Sequence, residues 1–576
     1  IEHGKTFWTR LMYAKGVNTI QTHNAACNTA RSRGLSTVWG GALDADWANS
    51  KYLLFIGRNM AEGIRTSTTT AFAKAIERGA KVVCVDPRLS EGGALNDWVP
   101  IKPGTDLALL LALSNVLITE DLYDKAFVAE HTNGFEELSA AVQGNTPEWA
   151  AEITDIPAAK IREIARGLAE AAPAAAVDTS WKGAFGCAYK NSTDTARALA
   201  YVNTLLGNIG QVGGLKQSKG ASLASVPYPS PATPSGPRGD GVGTDYPLAT
   251  SHGLPHLSMQ KAVEGKVKAG FVWHNNPLRN FPDYEHMLAG YQALDLLVVT
   301  ETHMSETAMQ AHYILPEASF GERNDVVETK GTTIATRVPA VAKIHPETKE
   351  SYEIVQMLAQ KMGVGEYFDF TLDEWNAARI SNQDFTLDEL KAAGSIEVKV
   401  EQPKGFQGLG TSSGKAEFFA QNFVDNGFDG VAQWYEPETG LAMGANEFRL
   451  VHGKQAYHAH THTSNIPILA QVTKDLDSAR VWINASRAAA LGIADGDSVR
   501  FTSKDDGRYR EARVKVTERI HPDMVFMGGV YGPRTPYFQV AETLGGFNAN
   551  DITKYRLEPI VGHTMMNEII VQVQKA

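Results

Sequence analysis

The run Thr22-His23-Asn24-Ala25-Ala26-Cys27-Asn28-Thr29-Ala30-Arg31 places a cysteine in a polar loop, with Arg33 and Gly34 close behind it. Cationic neighbours favour a thiolate, which is a nucleophile and a soft metal ligand. The opposing reading is a small buried hydrophobe, the usual role of a lone cysteine. Further constellations turn the balance toward chemistry. Gly57-Arg58-Asn59 follows one short apolar run, Asp86-Pro87-Arg88 follows the next, and Lys102-Pro103-Gly104-Thr105-Asp106 opens onto a helix. Glycines at the carboxyl ends of parallel strands let the backbone approach a pyrophosphate, and helix N-termini favour anions. An acid beyond the second strand suits a ribose hydroxyl or a purine edge. Together these turns predict a nucleotide site, while the lack of a G-x-G-x-x-G argues against a conventional dinucleotide fingerprint. Trp273-His274-Asn275-Asn276-Pro277 and Thr300-Glu301-Thr302 repeat the arrangement, as though a second nucleotide were held in a second unit. His458, His460 and His462 alternate; in a strand they would share one face, as a zinc site or as polar contacts to a large ligand.

These groups need a scaffold. Strands are expected at Lys51–Ile56, Lys81–Val85, Ala174–Val177, Ala269–Trp273 and Leu294–Val299. Helices are expected at Ser67–Glu77, at Leu107–Ile118 with Thr105 as N-cap, at Ala158–Ala171 and at Thr193–Leu206. Such alternation makes parallel sheets with crossover helices. Residues 227–247, rich in Pro, Gly and Ser, read as a long loop. Beyond Asn446, short strands at Phe448–Val451, Ala479–Ile483, Ser498–Thr502 and Ala512–Val516 predict a β-rich domain, a barrel. The fold class is α/β: two α/β units with mostly parallel sheets plus a C-terminal β-barrel. The expected units are residues 1–300 with the cysteine and one dinucleotide site, 301–445 as the second α/β domain, and 446–576 as the barrel.

The net charge of −11 argues against nucleic acid as a partner and leaves room for a local basic funnel for a small anion. Cys27, Cys84 and Cys187 form no C-x-x-C pair, so this chain offers no ligand set for an iron–sulfur cluster and no disulfide framework. Cys84 reads as core. No apolar run reaches the roughly 18 residues of a membrane span, so Leu107–Ile118 reads as a packed helix. The opening Ile1-Glu2-His3-Gly4 reads as mid-domain, and material preceding it is expected.

In this order, the pieces resemble the dimethyl sulfoxide reductase superfamily of molybdenum and tungsten enzymes. The resemblance runs from Cys27 through the three turns to Asn203-Thr204-Leu205-Leu206-Gly207-Asn208-Ile209-Gly210, then Asn275-Asn276-Pro277, Glu306-Thr307-Ala308 and Ile314-Leu315-Pro316. It ends in Ala494-Asp495-Gly496-Asp497-Ser498-Val499 and Asn548-Ala549-Asn550. It implies molybdenum or tungsten held by two molybdopterin guanine dinucleotides, closed by a barrel of double-psi type. By this resemblance Cys27 is the thiolate ligand of the metal. Gly57, Asn59, Asp86, Arg88, Gly104 and Asp106 contact one dinucleotide. Trp181, Gly183, Asn275, Pro277, Thr300 and Glu301 hold the second, with Cys187 either near it or merely buried. His460, Thr461, Thr463 and Asn550 belong to the barrel that closes over both.

Members of the superfamily usually begin with a segment carrying a [4Fe–4S] cluster, for which this chain has no ligands. A cysteine ligand is similar to that of the polysulfide, thiosulfate and tetrathionate reductases, a branch shared with arsenate and periplasmic nitrate reductases. Residues 302–307 and Phe320-Gly321-Glu322-Arg323 resemble the sulfur-compound reductases most. The implied reaction is a two-electron reduction of a sulfur compound in anaerobic respiration. His23, Arg31 and Arg33 would attract an anion or supply a proton, or the two arginines would form structural pairs. Implied partners are an iron–sulfur electron-transfer subunit and a membrane anchor subunit, in the periplasm or on the outer face of the cytoplasmic membrane. Rival readings are a hydratase or transhydroxylase using the metal as a Lewis acid, a subunit that has lost the metal, and a zinc hydrolase built on the three histidines.

Overall fold

Tyr52-Leu53-Leu54-Phe55-Ile56 is apolar and buried at every position, the pattern of a strand covered on both faces. In the computed structural model, which describes residues 4–61, 66–180, 182–458 and 460–576, it is β1 (Tyr52–Ile56). With β2 (Lys81–Val85), β3 (Asp97–Val99) and β4 (Ala175–Val177) it makes a parallel sheet in the order β3-β2-β1-β4. The chain leaves β1 to one side and returns to the other, so the strand order reverses between β1 and β4. The crevice beyond the carboxyl ends of two such strands is where parallel sheets take ligands. Gly57 follows β1, and Asp178, Thr179, Ser180 and Gly183 follow β4.

Helices α1 (Lys5–Ala14), α2 (Thr29–Trp39), α3 (Asp106–Thr119) and α4 (Ser192–Leu205) set the site. The α3 sequence is apolar all round and buried from Asp106 to Leu117, so it runs through the core. At about 21 Å it is too short for a bilayer of ~30 Å, and no helix among the described residues is long and apolar enough to cross a membrane. Thr105 does not cap α3 with its side chain; its hydroxyl donates to Lys102 O at 2.7 Å. All of α4 is buried, and α2 packs directly on it. Gly34 permits this: a Cβ there would stand 2.5 Å from Ala196 Cβ and 2.6 Å from Thr193 O. Because α2 begins two residues after Cys27, this close approach also anchors the cysteine loop.

A second parallel sheet runs β7 (Tyr313–Pro316), β6 (Leu296–Glu301), β5 (Ala269–Trp273). The expected boundary at 300 falls inside β6, which bonds to β5 on one side and β7 on the other. The C-terminal region closes a six-stranded barrel from β8 (Glu447–Gly453), β9 (Val481–Asn484), β10 (Ser498–Ser503), β11 (Tyr509–Thr517), β12 (Met524–Gly528) and β13 (Ile570–Lys575), in the order β8-β12-β9-β11-β10-β13. The barrel interior packs Phe448, Leu450, Val481, Ile483, Val514 and Val525. The four expected barrel strands are present. β12 and β13 are not among the expected strands; all five residues of β12 are buried, so no polar alternation marks it. Two α/β sheets and a closed barrel are the architecture expected from the sequence.

Candidate active site

Cys27 ends a 3-10 turn, His23–Ala26, and stands at the entrance of α2. The Asn24 carbonyl accepts the amides of Cys27 (3.1 Å) and Asn28 (2.8 Å). Beneath the loop, Ala30 N donates to Gly186 O at 3.1 Å. A Cβ on Gly186 would fall 2.5 Å from Cys27 O, so only glycine lets the two segments meet. The sulfur is half-buried, with Lys182 Nζ 3.7 Å from Sγ. Lys454, beyond β8, lines the cavity onto which Cys27 opens. The protein around it lowers its pKa, the Cys27 sulfur pulls the other way, and Lys182 adds to the lowering.

Lys182 is the cation in contact with the thiol, and the contacts of Arg31 and Arg33 fit the structural one of the two readings left open for them. Arg31 is buried and donates from Nε to Thr179 O at 2.6 Å. Arg33 donates to Ala249 O at 3.1 Å. Two residues apart on α2 they diverge by about 200°, and neither lines the cavity described next.

Cys27 opens onto a cavity of about 1190 Å³ walled by both sheets and the barrel. The first sheet contributes Gly57, Asn59, Asp86, Arg88, Gly104 and Asp106, with Gly183 beyond β4. The second contributes Asn275 and Glu301, and the barrel region contributes His460, Thr461 and Asn550. His23 stands at its edge and Cys187 on its wall, the Cys187 thiol 3.5 Å from Ala25 O and pushed up to about 12 by burial. Three expected contacts lie elsewhere. Pro277 is buried and lines a neighbouring cavity, Thr300 donates to Val272 O at 3.3 Å, and Thr463 donates to His460 O at 2.6 Å. Trp181 lies outside the described residues.

The glycines mark where the walls close in. Gly57 has φ +59°, and a Cβ on Gly183 would stand 2.7 Å from Gly57 O. Asp86 accepts the Arg88 amide at 2.8 Å, and the Arg88 guanidinium lies 4.4 Å from the ring centre of Phe526 in β12, joining sheet to barrel. Glu301 accepts the Thr302 amide at 2.8 Å and the Ser305 hydroxyl at 3.2 Å, and burial raises its pKa. Asn548 and Asn550 both donate to the Arg279 carbonyl, at 3.1 and 3.0 Å.

The histidine run is not a strand. It enters a 3-10 turn, Thr461–Asn465. His458 is buried between Thr463 and Thr473 hydroxyls, at 3.1 and 2.7 Å, His460 opens to the cavity, and the His462 ring packs edge-on to Phe538. The three share no face, and the zinc reading loses its geometry. Lys182, Lys454 and Arg279 escaped the sequence reading. For Lys182 the available signal was its place between Trp181 and Gly183.

The cavity walls hold buried polar atoms that lack a hydrogen-bond partner: Asn550 Oδ1, His452 Nδ1 and His462 Nε2. Burial pushes His452 down to about 4, so it is neutral at pH 7. Unpartnered polar atoms, a glycine-lined crevice at a switch point and a thiol beside Lys182 fit a large nucleotide-bearing cofactor whose metal takes a soft ligand.

Burial, with Asp86 adding to it, pushes the Asp106 carboxyl up to about 7. In the unfolded chain it loses its proton near pH 4. The stability it contributes is full below that pH and is lost as pH rises through 7. Between pH 5 and 8 the cofactor-free Asp106→Asn variant should lose less stability than the parent, by on the order of 2–4 kcal/mol. Denaturant midpoints across that range measure it, and identical pH slopes would mean that Asp106 ionises freely.

An α/β scaffold closed by a barrel over such a cavity defines an enzyme organised around a dinucleotide-bearing metal cofactor. The molybdopterin oxidoreductase family matches residues 3–361, and the molybdopterin dinucleotide-binding domain matches residues 448–570. The chain belongs to the molybdopterin oxidoreductase family, with dimethyl sulfoxide reductases among its relatives. It is 29% identical to the molybdopterin-containing subunit of thiosulfate reductase from Salmonella typhimurium, over 96% of this chain and 78% of that one. It is 29% identical to acetylene hydratase of Syntrophotalea acetylenica over 75% of this chain and 62% of that enzyme, under two thirds of its length. The solved acetylene hydratase from Pelobacter acetylenicus has the same fold, with a TM-score of 0.84 and 24% identity, covering 99% of this chain and 84% of that one.

Proposed function

We propose that this chain is the catalytic part of a reductase for a sulfur anion such as thiosulfate, tetrathionate or polysulfide. The observation that carries the reading is a pair of lysines in the cavity of Cys27, Lys182 with Nζ 3.7 Å from the sulfur and Lys454 on the cavity wall. In a chain of net charge −11, two ammonium groups converging inside a cleft select for negative charge. A neutral alkyne has no use for them. The likeness to a thiosulfate reductase subunit supports the same reading.

Cys27 would bind the metal. Gly57, Asn59, Asp86, Arg88, Gly104 and Asp106 would hold one dinucleotide, and Gly183, Asn275, Glu301, His460, Thr461 and Asn550 the other. When bound, the cofactor supplies two-electron exchange at molybdenum or tungsten. The chain's residues do the rest. Lys182 and Lys454 draw in and orient the anion, and the barrel shields it from water. His23, on the cavity wall, would deliver a proton to the departing sulfur. For thiosulfate, two electrons and two protons break the S–S bond and release HS⁻ and HSO₃⁻. Electrons would come from an iron–sulfur subunit beside a membrane anchor subunit, with the chain in the periplasm or on the outer face of the cytoplasmic membrane. This assignment rests on the kinship to a thiosulfate reductase subunit.

The test is turnover by the cofactor-loaded protein with a reduced viologen dye, across sulfur anions, nitrate and arsenate, beside acetylene without a donor. Sulfur anions should be reduced; donor-independent acetylene hydration would overturn the reading. Lys182→Ala should lower kcat/KM for the sulfur anion by about 10- to 100-fold, the worth of one charge-assisted contact, mostly through KM, with Lys182→Arg recovering part of it.

A further inference from the structure

Beside the cofactor cavity lies a second one of about 610 Å³, and the two share His23, His274, Asn275 and Phe281 as walls. Its floor runs along β5, the edge strand of the second sheet, where Phe271 and Trp273 are partly buried, Trp273 stacking on Trp8 of α1 at 5.1 Å. Met259, Tyr291 and Leu294 continue the apolar lining. Its rim carries Lys5 and Lys15, at the two ends of α1, and Lys266 just before β5, all exposed. Among the described residues no aspartate or glutamate lines it. The whole chain has 65 acidic residues against 54 basic ones, so this lining departs from the average surface. Glu264, outside the lining, partly offsets Lys266 at 2.7 Å, and Lys15 donates to the Met362 carbonyl at 3.3 Å. Low-dielectric walls bearing one sign of charge focus the field and concentrate the opposite ion.

We propose that this second cavity is the antechamber through which a sulfur anion reaches Cys27, its rim lysines collecting the charged ends and its apolar floor receiving the sulfur chain. The inference rests on the sulfur-anion reading above and deepens it by naming the entry path. Tetrathionate and polysulfides carry charge at their ends around an apolar, polarisable row of sulfur atoms. That shape matches cations set over aromatic and thioether walls, where Met12 and Met362 join Met259. His23 and His274, in the shared wall, meet the anion before Lys182 and Lys454 do.

The test compares Lys15→Glu/Lys266→Glu with Lys330→Glu, an exposed lysine in neither cavity wall, in cofactor-loaded protein. At low ionic strength the double variant should raise KM for tetrathionate by about 10- to 100-fold, with kcat moving by less than about twofold. High salt should narrow that gap, because the rim charges are exposed. The Lys330→Glu control should not reproduce it. An unchanged KM with turnover intact overturns the antechamber and leaves the substrate reading standing. If no sulfur anion is turned over, the substrate reading falls, and bromide-soaked crystals judge the cavity separately. An anomalous peak between Lys15 and Lys266 that is lost in the double variant keeps it as an anion site. No peak overturns it.

Discussion

Cys27→Ala should abolish turnover, lowering kcat/KM by more than about 1000-fold, because removing one member of a catalytic unit costs nearly as much as removing the unit. The fold should persist. The sulfur is half-buried, and the loop is held through its backbone by Asn24 O, which accepts two amides, and by the Ala30 amide on Gly186 O. Deleting Sγ removes none of these bonds and leaves α2 seated on α4, so stability should move by less than about 1 kcal/mol. Turnover, metal content by mass spectrometry and thermal unfolding, measured together, separate the two effects. A variant that keeps its metal and its turnover would remove Cys27 from the ligand role. One that unfolds would show that the sulfur is structural.

Arg279→Ala should have the largest effect on stability, about 3–5 kcal/mol, the usual result of breaking one side of a buried ion pair. Arg279 is buried, 3.4 Å from Asp551 and 4.0 Å from Glu306, and its guanidinium also donates to the Tyr531 carbonyl. It lies just beyond β5, whereas Asp551 and Tyr531 come from the barrel region, so the network joins the second sheet to the barrel. Removal leaves both carboxylates buried, Glu306 held by the Asn276 side-chain amide (2.7 Å) and the Arg534 backbone amide (2.8 Å), and Asp551 by Arg534 Nε (3.0 Å) and Arg510 Nε (3.4 Å). Arg279→Lys keeps the charge and loses the fork, and should fall between. Denaturant unfolding of the three proteins measures this. Equal midpoints would show that Arg534, Arg510 and Asn276 carry the seam without Arg279.

Much of the scaffold was legible because its signals are local. β1 and β2 are short uniform apolar runs, and α3 is an apolar stretch too short for a bilayer. Their ends carry Gly57, Asp86 and Gly104, whose roles follow from strand and helix ends. Cys27 and most residues expected around the dinucleotides do line one cavity. What failed was direction and distance. Arg31 and Arg33 sit near Cys27 in sequence, but the helical turn of α2 sends both away. His458, His460 and His462 alternate as in a strand, but the backbone turns between them, and His462 already lies in the 3-10 turn Thr461–Asn465. β12 lacked the alternation that marks a half-exposed strand.

By itself the sequence determined the order of strands and turns, the apolar runs that must be buried, the thiol at the head of α2 and the glycines without which the crevice could not close. These depend on residues within a few positions of one another, or on steric limits that hold in any context. Only the tertiary structure decided which cations share a cavity with the thiol, since Lys182 and Lys454 lie 155 and 427 positions beyond Cys27. It alone joined Arg279 to Asp551 and set a rim of lysines beside the cavity at Cys27. The reason is physical. Local sterics and burial are written in composition and period, whereas electrostatic partnership depends on distance in space, which exists only once sheets and barrel have packed together.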